Sequence, residues 1–190
     1  MSIAADTSLL QPSLHTARLV LRPFRLSDAG DVRTLAGEWE IADTTLTVPH
    51  PYPDGTAELW IATHATGFLA GTQATFAIEE RSTQRLVGAV GLHIEARHSL
   101  AELGYWIGVP FWGRGFATEA ARAVVDFALH TLCVNRIQAR HFVRNPASGR
   151  VLTKVGMKFE GTLRQSLRKW GRFEDVAVYS ILADDVMSHE

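Results

Sequence analysis

The stretch from Leu100 to Val143 constrains the fold more than any other part of the chain. It opens with a short run rich in β-formers, Leu100–Ile107 (LAELGYWI), passes through a loop holding Gly113 and Gly115, and enters an amphipathic segment, Thr118–Leu132. In that segment Ala121, Val124, Val125, Ala128 and Leu132 recur three or four apart, which collects them on one face of a helix. A second β-rich run, Arg136–Val143, follows. A strand, a crossover helix and a strand in that order make a locally parallel pair, because parallel neighbours need a connection long enough to travel back along the sheet. The chain therefore reads as α/β.

Around this unit the remaining elements fall into place. Arg18–Phe24 reads as a first strand ended by Pro23, whose ring removes a ladder donor. Ser27 and Asp28 open a helix running to about Glu40, with Asp28 and Asp31 in the first turn where the macrodipole favours acids. Prolines at 49, 51 and 53 make Ile41–Pro53 extended. A second helix spans about Thr56–Leu69. The runs Thr72–Glu80, Arg85–Ile94 and Leu100–Ile107 form a three-stranded antiparallel meander. A short helix at Ala147–Val155 ends at Gly156, and strands near Met157–Leu167 and Phe173–Leu182 are joined by a turn at Arg168–Arg172. The expectation is one domain over 14–184, preceded by a flexible leader at 1–13. Its sheet is mixed but mostly antiparallel, seven-stranded, and flanked by about four helices.

Composition excludes several classes. With 46% hydrophobic residues the chain can build a core without metal or disulfide staples, and the eight histidines show no metal-ligand spacing. The single cysteine, Cys133, cannot form an internal disulfide; near the end of an apolar helix it reads as a buried small hydrophobe. This cysteine usage, with no secretion signal and no apolar run near the roughly 20 residues of a membrane span, places the protein in the cytoplasm. The net charge of −1 hides an asymmetry: between Arg136 and Arg172 ten basic side chains face one acid, Glu160. Such a concentration attracts a polyanion, or is a solvated basic face. Nucleic acid is the less favoured partner, since no zinc-finger spacing, RNA-binding signature or extended basic helix accompanies it. A small phosphate-rich cofactor satisfies the same bias.

The loop GYWIGVPFWGRGFATEA, Gly104–Ala120, is where such a cofactor would sit. Unpaired N–H groups and the positive dipole end of a helix attract phosphate, and glycine lets it approach the backbone. Thr118 stands where a dinucleotide fingerprint would have its third glycine, and the G-K-[ST] of a Walker loop is absent. Ala101–Ala120, Asn145–Ser148 and the run KVGMKFEGTLRQS together resemble the GNAT acyltransferase superfamily. More narrowly the chain is similar to the RimJ/RimL type, which acetylates N-terminal amines of ribosomal proteins. The resemblance covers about Leu14 to Leu182. The superfamily writes the loop Arg/Gln-x-x-Gly-x-Gly/Ala; here Trp112 replaces the basic or amide residue, as it does in the RimJ/RimL type.

The resemblance implies acetyl-CoA as acyl donor, no metal, and an amine acceptor, either a small molecule or a protein N-terminus; a homodimer is a further implication. It implies that amides of Gly113, Arg114, Gly115, Ala117 and Thr118, in a loop that includes Trp112 and Phe116, hold the pyrophosphate. The strand end at Ile107–Val109 would lie along the pantetheine arm where two strands splay, and Asn145 would bond that arm or orient its acetyl-bearing end. Many members place an acid tyrosine seven residues beyond the asparagine; that position is Leu152 here, and the RimJ/RimL type uses a serine matching Ser148. Glu102 matches the glutamate that takes a proton from the acceptor. Alternation puts Glu102, Gly104 and Trp106 on one strand face and Leu103, Tyr105 and Ile107 on the other. Glu102 flanked by Ala101 and Leu103 is either that base, or a surface carboxylate in water or paired with an arginine. His93 and Tyr179 read as partly buried or packing residues. The loop at 41–53, with Trp39 and Tyr52, reads as the acceptor-side wall.

Overall fold

The computed structural model describes residues 10–187. Of the leader assigned to 1–13, residues 1–9 lie outside the described residues, and Gln11 donates its side-chain amide to the carbonyl of Thr75 at 2.8 Å. The strands are β1 Leu14–His15, β2 Leu19–Pro23, β3 Gln73–Glu80, β4 Arg85–Glu95, β5 Leu100–Ile107, β6 Arg136–Phe142, β7 Lys158–Lys169 and β8 Arg172–Leu182. They form one sheet in the order β1-β2-β3-β4-β5-β6-β8-β7. The meander β3-β4-β5 is antiparallel, and β5–β6 is the parallel pair. The sheet has eight strands rather than seven. The extra one, two residues paired with Val20 and Leu21, is too short to carry any periodicity.

The helices are α1 Ala29–Ala36, α2 Trp39–Thr44, α3 Thr56–Leu69, α4 Phe116–His130, α5 Pro146–Val155 and α6 Ala183–Met187. Most boundaries shift by a residue or two from the expected ones, and two of the shifts matter for the site. The helix expected to run to Glu40 stops at Gly37 and restarts as α2, so residues 41–44 are helical and only the proline-bearing part stays extended. Helix α4 begins two residues early because Gly115 adopts a left-handed φ as its N-cap. The α4 face predicted from spacing packs on one side of the sheet: Ala120, Ala121, Val124 and Ala128 are fully buried against strand residues such as Phe76, Leu103 and Ile137. Alanine at these positions lets the helix axis approach the sheet closely. The other side carries α1 and α3, whose Val32, Ala57 and Ile61 meet Ala77 and Leu86. Gly88 has a separate reason to be glycine, since a Cβ there would stand 2.3 Å from the carbonyl of Trp106.

Cys133, expected inside, is exposed. It sits past the end of α4 at a φ of +54°, in the turn that reverses the chain into β6. His93 is likewise exposed on β4. His64 of α3 is buried between Phe24 and Trp60, and neither ring nitrogen has a partner. Burial pushes its pKa down to about 4. A folded-state value below the unfolded one, about 6.5, means stability is fully present above pH 6.5 and is lost as pH falls toward 4. The fold should lose about 2 kcal/mol by pH 5 from this group alone. Denaturant titrations of wild type and His64→Leu between pH 7 and 4.5 should show that slope only in the wild type.

Candidate active site

The end of β5 leads through a 3-10 turn, Val109–Phe111, into Trp112–Gly115 and then α4. Gly113 and Gly115 hold φ values of +74° and +80°. No side chain caps α4, so the N–H groups of its first turn are offered outward, as an anion site requires. The loop is fastened from behind. The Trp112 indole N–H donates to the carbonyl of Ile107 at 2.5 Å, and Arg18 Nη1 donates to the carbonyl of Arg114 at 2.9 Å. An acid in the first turn, Glu119, would repel an incoming anion. Its carboxylate accepts from Thr16 Oγ1 at 2.6 Å and from the Arg18 amide at 2.8 Å, and pairs with the Arg18 guanidinium at 2.6 Å. Burial opposes ionisation of Glu119, but these bonds outweigh it and hold the carboxyl below its usual value. The Arg114 guanidinium turns to Glu80 and stacks 4.6 Å from the Phe116 ring centroid. Phe116 and Ile107 are buried, so they can meet a ligand only through the backbone, whereas Trp112 is half-exposed.

Beside this cradle the sheet opens. The β5–β6 ladder joins only Leu100–Leu103 to Arg136–Ala139. The Gly108 N–H bonds to the carbonyl of Val87 at 2.9 Å, which fixes the phase of the β4–β5 ladder. In that phase Tyr105 and Ile107 direct their N–H and C=O groups away from β4 and toward β6. Past Leu103 no β6 residue pairs with them, so the Tyr105 N–H and C=O and the Ile107 N–H face the gap able to bond an extended chain, while the Ile107 carbonyl already accepts from the Trp112 indole.

Helix α5 brings Ser148 against Tyr105 of β5, at the edge of this gap. Asn145 is the N-cap, its Oδ1 accepting from the Ser148 amide at 3.4 Å. The Ser148 Oγ lies 2.8 Å from the hydroxyl of Tyr105. Leu152, one turn on, is fully buried. Glu102 is on the opposite sheet face, paired with Gln138 one step before the last joined pair, Leu103 with Ala139. Arg140 Nη2 lies 2.8 Å from both of its oxygens, Arg140 Nε lies 3.0 Å from Oε1, and Gln138 Nε2 donates to Oε2 at 3.2 Å. The arginine partner left open by the sequence is thus present, and Glu102 remains about a third exposed, at 31%.

Residues 39–48 are strapped to the β7–β8 turn. Trp39 stacks on Trp170 with centroids 4.6 Å apart, and the buried Lys169 ammonium donates to the carbonyls of Leu46 and Val48 at 3.1 and 3.0 Å. Arg144 joins Asp43 of α2 to Glu174 of β8, at 2.5 and 3.0 Å. Tyr52 packs instead with the α1–α3 cluster. Four of the ten basic side chains of the run form ion pairs: Arg136 with Glu160, Arg140 with Glu102, Arg144 with Asp43 and Glu174, and Lys158 with Asp185. Three site residues escaped the sequence reading: Arg18, Glu119 and Tyr105. The first two are 101 positions apart. Tyr105 alone had a signal, its place on the strand face opposite Glu102. Among the described residues no three His, Cys, Asp or Glu side chains gather as a metal site needs.

Residues 18–158 match the model of the acetyltransferase (GNAT) domain family. The chain belongs to the GNAT acetyltransferases. An uncharacterized N-acetyltransferase of Bacillus subtilis (strain 168), YoaA, is 34% identical over 172 residues, covering 90% of this chain and 97% of that protein. The [ribosomal protein uS5]-alanine N-acetyltransferase of Escherichia coli (strain K12) is 27% identical over 187 residues, covering 90% and 91%. Among solved structures, RimL, a ribosomal L7/L12 α-N-protein acetyltransferase in complex with coenzyme A, superposes with a TM-score of 0.83 at 18% identity over 92% of this chain and 99% of that one. The microcin C7 self-immunity acetyltransferase MccE, in complex with acetyl-CoA and AMP, gives 0.81 at 20% identity over 93% and 99%. At those identities the structural likeness shows the shared GNAT fold. The GNAT chain is an N-acetyltransferase, and no helix among its described residues is long and apolar enough to cross a membrane.

Proposed function

We propose that this enzyme moves the acetyl group of acetyl-CoA to a primary amine by direct attack within a ternary complex, and that the amine is a protein or peptide N-terminus. The observation that carries the reading is the uncapped, glycine-led start of α4 placed beside the unpaired ends of β5 and β6. The cradle suits a pyrophosphate, and the gap suits an amide-bearing arm that bonds like a strand. Amides of Gly113, Arg114, Gly115, Ala117 and Thr118 hold the first, with Trp112 and Phe116 fixing the loop. Ile107, Val109 and Asn145 line the path of the second. The donor supplies an activated thioester carbonyl; the chain supplies alignment and proton movement. A backbone N–H of Ile107–Val109 meets the oxyanion.

Glu102 takes a proton from the incoming ammonium, directly or through water. Four hydrogen bonds from three donors, Arg140 Nε, Arg140 Nη2 and Gln138 Nε2, fill the roughly four lone-pair sites of the carboxylate, so the longest of them, from Gln138 at 3.2 Å, gives way when Glu102 takes the proton. Ser148 gives its hydroxyl proton to the departing sulfur as the carbon–sulfur bond breaks. The nitrogen, positively charged after attack, gives up its second proton to replace the one Ser148 lost, and Glu102 releases its proton to water, so the enzyme returns unchanged. The peptide acceptor is supported by the ribosomal-protein acetyltransferases among the relatives. The strap at 39–48 forms the wall against which such a chain would lie. The rival reading, nucleic-acid binding by the basic run, is weakened by the ion pairs of four of its ten basic side chains and by the burial of the Lys169 ammonium against backbone carbonyls.

Release of the free thiol from acetyl-CoA, followed with short peptides and with polyamines as acceptors, tests the function. Peptide-dependent release is expected. Ser148→Ala should slow it while leaving acetyl-CoA affinity within about twofold, as expected of a residue acting mainly in the transition state. No binding of acetyl-CoA at millimolar concentration would remove the reading altogether.

A further inference from the structure

We infer that Tyr105 is a positioning residue that aims the hydroxyl proton of Ser148 into the gap between β5 and β6. The inference rests on the donor role proposed above for Ser148. Tyr105 belongs to the strand whose free backbone edge lines the gap, and its side chain crosses to α5. There both hydrogen-bond partners of its hydroxyl belong to one residue: Ser148 Oγ at 2.8 Å and the Ser148 carbonyl at 3.2 Å.

Counting protons shows what this arrangement does. Tyr105 and Ser148 each carry one hydroxyl hydrogen. If Ser148 donates to Tyr105, Tyr105 donates to the Ser148 carbonyl, and both protons are spent inside the pair. If Tyr105 donates to Ser148 Oγ, the serine proton is released to point elsewhere. The two arrangements differ by rotation of two hydroxyl hydrogens, with no heavy atom moved. Negative charge growing on a sulfur in the gap favours the second, because it attracts the freed proton. In that arrangement the phenol also steadies Oγ while its own proton leaves. The phenol is suited to this donor's part: burial pushes its pKa up to about 12, against a smaller opposing effect of Ser148, so it keeps its proton at every working pH. Leu152 offers no hydroxyl, so the tyrosine of β5 is the phenol in contact with Ser148.

Tyr105→Phe keeps the ring and removes only the hydroxyl. With the peptide acceptor saturating, kcat should fall about three- to tenfold, the scale of one hydrogen bond, with the KM for acetyl-CoA unchanged within about twofold. The deciding readout is a double-mutant cycle. In a Ser148→Ala background the same Tyr105→Phe change should have no further effect on kcat. An equal fall in both backgrounds makes Tyr105 a packing residue and overturns the inference. So does a wild-type kcat for Tyr105→Phe alone when Ser148→Ala is slow. Wild-type turnover by Ser148→Ala instead removes the donor role itself, and this inference with it. Melting temperatures of all four proteins check that the fold is intact.

Discussion

Gly115→Val should cost the enzyme tenfold or more in acetyl-CoA affinity. The φ of +80° at this position is one that a β-branched residue adopts only under strain. For L-residues the left-handed conformation costs roughly 1–2 kcal/mol, and about 1.4 kcal/mol is a factor of ten in binding. A valine Cβ would stand 3.4 Å from Arg18 Nη2, an ordinary contact, so the strain lies in the backbone. Relief comes only by turning the peptide planes on either side of residue 115, and those planes carry the N–H groups of the cradle. Gly113→Ala makes a graded control: its φ is +74°, a Cβ meets nothing within 4 Å, and alanine, unbranched at Cβ, bears that φ with less strain than valine, so the loss should be smaller. Calorimetric titration with acetyl-CoA at low and moderate salt reads both. Wild-type affinity in Gly115→Val would mean that the pyrophosphate is held elsewhere.

Glu102→Gln should lower kcat/KM at neutral pH by about 10²–10⁴, the usual contribution of a positioned proton acceptor. The substitution preserves shape and one oxygen for Arg140. The pair is 31% and 40% exposed, so its loss should change stability by less than about 1 kcal/mol. The pH dependence separates proton transfer from anchoring. A peptide α-amine has a pKa of about 8. The variant must rely on amine already deprotonated in solution, so its rate should climb toward pH 8–9 and narrow the gap to wild type. A turnover unchanged from pH 6 to 9 would reduce Glu102 to a partner of Arg140.

What could be read in the sequence was what local spacing encodes. Helix α4 was visible because Ala121, Val124, Val125 and Ala128 repeat at the helical period, and the parallel pair followed from the length of the crossover. The glycine cradle was visible because left-handed backbone at 113 and 115 calls for one residue type. The rest is set by contacts between distant segments. Glu119 reads alone as an ordinary first-turn acid, and only the fold brings Thr16 and Arg18 to it. Ser148 could be nominated, but the hydroxyl beside it comes from a strand 43 positions earlier. Cys133 was misplaced because helical periodicity says nothing about where the last turn unwinds. The prolines begin only at 49, so nothing in them forbids the helical turn that α2 makes over Trp39–Thr44.

The short β5–β6 ladder makes the sheet two antiparallel assemblies rather than one. Strands β1–β5 form one half and β6–β8 the other, each complete in its own pairing. They share a seam of four residue pairs, from Leu100 with Arg136 to Leu103 with Ala139. Beyond it nothing in the ladder resists the halves hinging apart, and the burden passes to α4 and α5, which span the join. A ligand arm bonded into the open part would act as mortar, lengthening the seam with its own amides. The substrate would then be a piece of the architecture while it is bound. The enzyme would stiffen on loading and loosen again each time the product leaves.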